Sequence, residues 1–329
     1  MEPMTFTLVR ATTPPTSLAR VPGSRDDSAP LRIGVVQHAW QPDAEALAAE
    51  LSSAVAIAAA DGAQIVFLPE LTLSRYPADT LPTGRADELA EDLETGPTRR
   101  WAAEAAAAND VYVHASLYQR TGDSDGRGLN TAIVVAPSGE IVAKTHKLHI
   151  PVTAGYYEDK YFRAGPAEQP YPVHEVAALP GVRLGMPTCW DEWFPEVARA
   201  YSLQGANVLV YPTAIGSEPD HPEFDTQPLW RQVIVGNGIA NGTFMVVPNR
   251  IGSETRPDGT PGNTFYGSSF VSDPYGRILA EAPRDEQAVL VVDLDLPQRD
   301  DWLELFPFLA TRRPDTYEVL GASGSSDAR

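Results

Sequence analysis

From Leu31 onward, short branched apolar runs alternate with alanine- and glutamate-rich stretches of helical pattern, and this alternation most limits the folds open to the chain. LRIGVVQ reads as a strand and residues 43–60 as a helix ended by Asp61-Gly62. QIVFLPE then reads as a second strand whose last residue is Glu70. A strand-helix-strand opening of this kind predicts α/β organisation. A second helix is expected over 97–108, behind Gly96-Pro97, followed by the strand VYVHASLYQ. NTAIVVAP and EIVAKTHK, on either side of Ser138-Gly139, read as a β-hairpin, so the sheet cannot be purely parallel.

Residues 148–172 carry few periodic apolar positions and many aromatics, Gly and Pro, which marks a functional segment without regular structure. The pattern resumes with strands VHEVAAL and VRLGMPT, a helix over 195–203, the strand ANVLVYPT and a helix over 226–241. FMVVPN, YGSSFVSDP, GRILAEA and AVLVVDLDL complete the strands. GNGIANG and DGTPGN match no phosphate-binding spacing and read as turns or close-packed backbone. Residues 1–30, rich in Thr, Pro, Ser and Arg, are expected to be a flexible leader. Residues 31–320 then form one domain and residues 321–329 a flexible tail. The amphipathic WLELFPFL covers the core or meets a second subunit, and the second reading is favoured.

With 43% hydrophobic residues among 329, the chain can bury a substantial core. Its net charge of -19 opposes binding to nucleic acid or to anionic membrane, and no run of about 18 apolar residues offers a membrane span. Cys189 is the only cysteine, which excludes an intrachain disulfide or a multi-cysteine metal site within one subunit. That cysteine usage, with no secretory signal pattern at the N-terminus, fits a reducing, cytoplasmic compartment.

Four residues stand where chemistry would need them. Cys189 follows a predicted strand and precedes a predicted helix, a junction whose backbone N–H groups can stabilise a thiolate and a developing oxyanion. Packing alone also explains many cysteines. Glu70 ends an apolar strand, where desolvation can make a carboxylate a general base; capping or ion pairing at a strand end is the alternative. Lys147, in AKTHKLHIP, could hold negative oxygen, with Lys144, His146 and His149 as neighbouring competitors. His146 and His149 have no visible third ligand, and neither metal nor cofactor is expected. Glu158, in GYYEDKYFRAG, either orients Lys147 or pairs with Lys160 or Arg163. Substrate contacts are expected from Tyr76, Tyr157, Trp190, Asp191, Glu192 and Trp193.

Together these segments resemble the nitrilase or carbon-nitrogen hydrolase superfamily over roughly residues 31–320. FLPEL, HKLHIP, YYEDKYF and TCWDEWFPE correspond in order to its glutamate, lysine, second glutamate and nucleophile segments. The resemblance implies a four-layer α-β-β-α sandwich, a homodimer or larger homo-oligomer, Glu70 as general base, Lys147 as oxyanion stabiliser, Glu158 as supporting acid and Cys189 as nucleophile. Within it the chain looks most like N-carbamoylputrescine amidases of polyamine metabolism, through GYYE, CWDEWFPE, YPTAIGSEP, PNRIGSE and TFYGSSF. It departs from them at Asn237, where a histidine is usual, and at DDWLELFPF. The expected substrate is thus an N-carbamoyl amine. An aliphatic amidase, an N-carbamoyl amino acid hydrolase, a nitrilase and a catalytically silent scaffold are the alternatives. Glu192, three residues after Cys189, would repel a substrate carboxylate and pair with an ammonium, or else cap the following helix.

Overall fold

The computed structural model describes residues 6–21, 29–216 and 218–321. The first half of the chain gives β1 (Thr7–Ala11), β2 (Leu31–Ala39), α1 (Ala44–Ala60), β3 (Ile65–Phe67), α2 (Pro97–Asn109), β4 (Tyr112–Gln119), β5 (Gly128–Val135) and β6 (Ile141–His146). The short strands β7 (Val152–Thr153), β8 (Tyr156–Tyr157), β9 (Phe162–Arg163) and β10 (His174–Glu175) follow. The second half supplies β11 (Arg183–Gly185), α3 (Pro195–Leu203), β12 (Val208–Val210), α4 (Gln227–Asn241), β13 (Phe244–Val247), β14 (Arg250–Thr255) and β15 (Pro261–Tyr266). It closes with β16 (Phe270–Ser272), β17 (Ile278–Glu281), β18 (Ala288–Leu294) and α5 (Gln298–Leu305).

Local chemistry explains the helix ends. The Asp43 carboxylate accepts from the Glu45 and Ala46 amides at 3.1 and 3.0 Å and so starts α1. Pro97 opens α2. Gly242, at φ +62°, ends α4 in the left-handed conformation that glycine adopts without a Cβ clash.

Two sheets face each other. One runs β1-β18-β2-β3-β4-β5-β6 and the other β10-β11-β12-β13-β16-β17. In each, three parallel strands (β2, β3, β4 and β11, β12, β13) are flanked by antiparallel ones. Ile33, Val35 and Phe67 of the first sheet pack against Leu184, Val210 and Val246 of the second in one buried cluster. The outer face of the first sheet is covered by Leu51 and Val55 of α1 and Trp101 and Ala105 of α2. Val197 and Tyr201 of α3 and Trp230 and Ile234 of α4 cover the second. The order helix, sheet, sheet, helix is the expected four-layer sandwich.

Several elements differ from the reading of the sequence. Within the expected flexible leader, Thr7–Ala11 is a strand that pairs in parallel with β18; residues 1–5 and 22–28 lie outside those described, as does the tail from 322 on. The strand expected to end at Glu70 stops at Phe67, because Pro69 cannot donate to the ladder. The segment over 148–172 contains β7, β8, β9 and a 3-10 turn at Glu158–Lys160. DGTPGN leads from a turn into β15, and GNGIANG is the end of α4, where Gly238 is close-packed against Met245.

Candidate active site

The parallel strands of both sheets end at the same rim, the position where open α/β sheets present their functional loops. Glu70 lies three residues beyond β3, Lys147 immediately beyond β6, and Cys189 four residues beyond β11. Glu158 opens the 3-10 turn after β8.

All four side chains are buried, and Cys189 retains 6% exposure. The Lys147 ammonium donates to Glu70 Oε1 at 3.0 Å and to Glu158 Oε2 at 2.6 Å. Glu70 Oε1 also accepts from Asn130 Nδ2 at 2.7 Å, while its Oε2 accepts from the Ala214 amide at 3.0 Å. Glu158 Oε1 accepts from the Tyr76 hydroxyl at 2.9 Å. Each carboxylate oxygen thus has a donor, which is what a buried charged triad requires. Lys160 pairs instead with Asp159, and Arg163 with Asp123 and Asp125, so neither competes for Glu158.

Burial alone would pull the Lys147 pKa down, but the charges of Glu158 and Glu70 outweigh it and hold the ammonium well above the usual lysine value. Burial pushes the Glu158 carboxyl up to about 7, against the pull of Lys147. For Cys189, burial and then the Glu70 charge raise the thiol well above its ordinary value, outweighing Lys147. The resting group is therefore a thiol and not the stabilised thiolate expected from the junction alone. A thiol in that state serves as a nucleophile only with a base to take its proton.

Cys189 begins a 3-10 turn, Cys189–Trp193, and has φ +44°. A non-glycine residue there costs about 1–3 kcal/mol, and such strain is typical of groups held for chemistry. Its own amide is bonded to the Pro212 carbonyl at 3.1 Å. The Trp190 amide, at the second position of the turn, has no acceptor within the turn.

The expected substrate contacts divide. Asp191 is occupied by the protein: its Oδ1 accepts from the amide and Nδ1 of His149 at 2.9 and 2.7 Å, and its Oδ2 from the amides of Leu148 and Thr188 at 3.3 and 3.0 Å. It braces the Cys189–Trp193 turn to the segment after β6, with both of its oxygens already engaged. Tyr76 is fully buried, and its hydroxyl, engaged by Glu158, lies within electrostatic reach of Cys189. Trp190 and Trp193 are half-buried neighbours, with ring centroids 6.3 Å apart, and Tyr157 is half-buried on β8.

Glu192 is fully buried, and neither carboxylate oxygen has a hydrogen-bond partner among the described residues. Burial raises its pKa well above the carboxylate range. The Trp230 indole N–H comes near enough to lower it somewhat without making a hydrogen bond of normal geometry. Asn237, on α4, donates to the Glu192 carbonyl at 3.0 Å and so fixes the backbone beneath that side chain.

Sequence reasoning missed several members of the site. Asn130, a polar residue at the head of the apolar run NTAIVVAP, was the one with a visible signal. Tyr156 and Tyr266 are buried within electrostatic reach of Cys189, and Tyr156 also feels Glu218, a half-buried carboxylate beyond β12. Among the described residues, no group of three or more His, Cys, Asp or Glu is placed to hold a metal ion. No helix among them is long and apolar enough to cross a membrane.

A family profile described as carbon-nitrogen hydrolase matches residues 32–303. The chain belongs to the carbon-nitrogen hydrolase family. It is 32% identical to a citrullinase of Francisella tularensis over 88% of this chain and 98% of that protein. It is 34% identical to an N-carbamoylputrescine amidase of Arabidopsis thaliana over 88% of this chain and 94% of the relative. Among solved structures, a carbon-nitrogen hydrolase from Helicobacter pylori superposes with a TM-score of 0.79 at 30% identity, covering 88% of this chain and 98% of the other. An amidase from Nesterenkonia, at 24% identity and a TM-score of 0.67 over 91% of this chain and 99% of the other, shares the fold. This carbon-nitrogen hydrolase is an enzyme of the nitrilase-type sandwich.

Proposed function

We propose that this hydrolase uses Cys189 as nucleophile to remove ammonia from a terminal ureido group on an alkyl chain that ends in an ammonium, with N-carbamoylputrescine as the reference substrate. The observation that carries the reading is the buried array in which Lys147 bridges Glu70 and Glu158 while Glu70 and Lys147 both bear on the Cys189 thiol.

Glu70 takes the thiol proton as sulfur attacks the ureido carbon. Lys147 and the Trp190 amide hold the oxyanion. Collapse breaks the bond to the terminal nitrogen, which leaves as ammonia with the proton from Glu70, and an alkylcarbamoyl thioester remains on Cys189. Water, deprotonated by Glu70, attacks that thioester and releases the thiol. The carbamate product decomposes to the amine and carbon dioxide. Glu158, held by Tyr76, keeps Lys147 in place through both steps.

For the ammonium end, Glu192 and Glu218 are the two acidic candidates. Glu192 is the stronger one, because both of its oxygens lack a partner among the described residues and it lies within electrostatic reach of Cys189. An arriving ammonium would restore its ionised form. The N-carbamoylputrescine amidase relative favours a substrate without an α-carboxylate, and the citrullinase relative favours a second reading in which one is present. Assays of N-carbamoylputrescine, citrulline, N-carbamoyl-β-alanine, a simple amide and a nitrile, with ammonia and organic product both measured, decide between them. Turnover confined to ureido amines is expected, and exclusive turnover of the simple amide would overturn the ureido reading. We further propose a cytoplasmic homodimer whose interface includes the α5 segment, where Leu305 and Phe306 are more than half exposed.

A further inference from the structure

The strand β14 carries a buried cation that takes no part in the proposed chemistry. Arg250 is fully buried. Its Nε and Nη2 donate to the Glu70 carbonyl at 3.2 and 2.8 Å, and Nη2 also reaches the carbonyls of Leu71 and, at 2.7 Å, Ser74. Leu71, the residue after Glu70, sits at φ +52°, a left-handed conformation unusual for leucine. The chain therefore reverses sharply just beyond the catalytic carboxylate, and the guanidinium fork gathers the carbonyls that this reversal turns inward.

The other side of the guanidinium leads to the second carboxylate. Arg250 Nη1 donates to Glu254 Oε1, and Glu254 Oε2 accepts from the Tyr76 amide at 2.7 Å. The Tyr76 hydroxyl then donates to Glu158. His38, opposite Arg250 in the β2–β14 ladder, is buried and held neutral by burial and by the Arg250 charge, so it offers no competing cation.

We propose that Arg250, with Glu254 as its counter-ion, is the positioning residue that holds Glu70 and Glu158 in fixed relation about Lys147. One arm acts on the Glu70 main chain and the other on Glu158 through Glu254 and Tyr76. The pair touches neither thiol nor substrate; it acts through the geometry of the base. A misplacement of about 1 Å at a reacting group can cost on the order of 100-fold in rate.

The test is the rate of Cys189 alkylation by iodoacetamide as a function of pH, which needs no knowledge of the substrate and rests only on Glu70 as the base for the thiol. E70Q serves as reference and is expected to slow alkylation at neutral pH. R250K, which keeps the charge but loses the fork, is expected to approach the E70Q rate and to lower kcat by roughly 100-fold with KM within about threefold. E254Q preserves shape and the acceptor for Tyr76 while removing the counter-charge. It is expected to slow alkylation and kcat by about tenfold in step. Folded E254Q with the wild-type alkylation profile overturns the proposal whether or not R250K folds. An E70Q profile equal to wild type removes the base reading together with it, whereas a slowed E70Q beside an unchanged E254Q removes the Arg250 proposal alone.

Discussion

At the scale of single residues, the site is a problem of three buried carboxyl groups and one buried ammonium beside a thiol. Glu70 and Glu158 share Lys147, so their charge is balanced by close hydrogen bonds; Glu192 has no such partner. That difference gives the residues different work. If Glu192 receives the substrate ammonium, Glu192→Gln should raise KM for N-carbamoylputrescine by roughly tenfold or more, the worth of a buried charged hydrogen bond, and leave KM for an uncharged amide unchanged. Steady-state kinetics on both substrates checks this. An unchanged KM in that variant, with a raised one in Glu218→Gln, would transfer ammonium recognition to Glu218.

Glu70, Lys147, Glu158 and Cys189 were legible in the sequence as an ordered set of motifs. Their partners were not, because they come from distant parts of the chain. Asn130 lies 60 positions from Glu70, the Ala214 amide 144 and Arg250 180. No local pattern marks a main-chain amide as a carboxylate's second donor. Asp191 was misjudged for a related reason: an acid beside a nucleophile reads as a ligand contact until its four backbone and imidazole donors are seen.

At the scale of elements, the site depends on loops from different strands being tied to one another. Asp191 ties the turn after β11 to the segment after β6. Asp191→Ala would leave buried amides of Leu148, His149 and Thr188 without acceptors and should lower unfolding free energy by about 3–5 kcal/mol, measurable by urea denaturation. Unchanged stability would show that these donors find other partners. Tyr76 ties the loop after β3 to the turn after β8. Its hydroxyl stabilises the ionised form of Glu158, whose pKa lies at about 7, so Tyr76→Phe must move that value upward. The acid limb of the kcat/KM profile is expected to shift to higher pH by about half a unit or more. A limb that stays in place or moves down would separate Glu158 ionisation from activity.

The long helices and the β5–β6 hairpin were readable because capping, proline placement and a glycine turn are local signals. The strand β1 and the hairpin β14–β15 were not. TLVRA lies amid Thr, Pro and Ser and becomes a strand only through parallel pairing with β18. RIGSETRPDGTPGN has the composition of a turn, yet it forms a ladder because β2 supplies an edge for Arg250 and Ile251. Non-local pairing overrides weak local preference in both cases.

At the scale of the whole molecule, two histidines buried in the first sheet link folding to pH. Burial depresses both His38 and His114 to about 3 from an unfolded value of 6.5. Below pH 6.5 the unfolded chain takes up protons that the folded chain refuses, so their contribution is complete above 6.5 and is lost as pH falls toward 3. Each should cost about 1.4 kcal/mol of stability per pH unit across that window. Urea midpoints between these limits should fall with acidification, and His114→Gln should flatten the slope. A slope unaltered by that substitution would place the acid sensitivity elsewhere.

The alternation of strands and helices was enough to anticipate the layers, since each amphipathic face needs a covering partner. It could not show that both sheets end their parallel strands at one rim, which is what brings Glu70 and Cys189 together across the sandwich. The claim on which the rest stands is that Cys189 is the nucleophile. Ammonia release by folded Cys189→Ser, with N-carbamoylputrescine as substrate, tests it most directly. A loss of about 1,000-fold or more relative to the native enzyme is predicted. Turnover at the native rate would contradict the account.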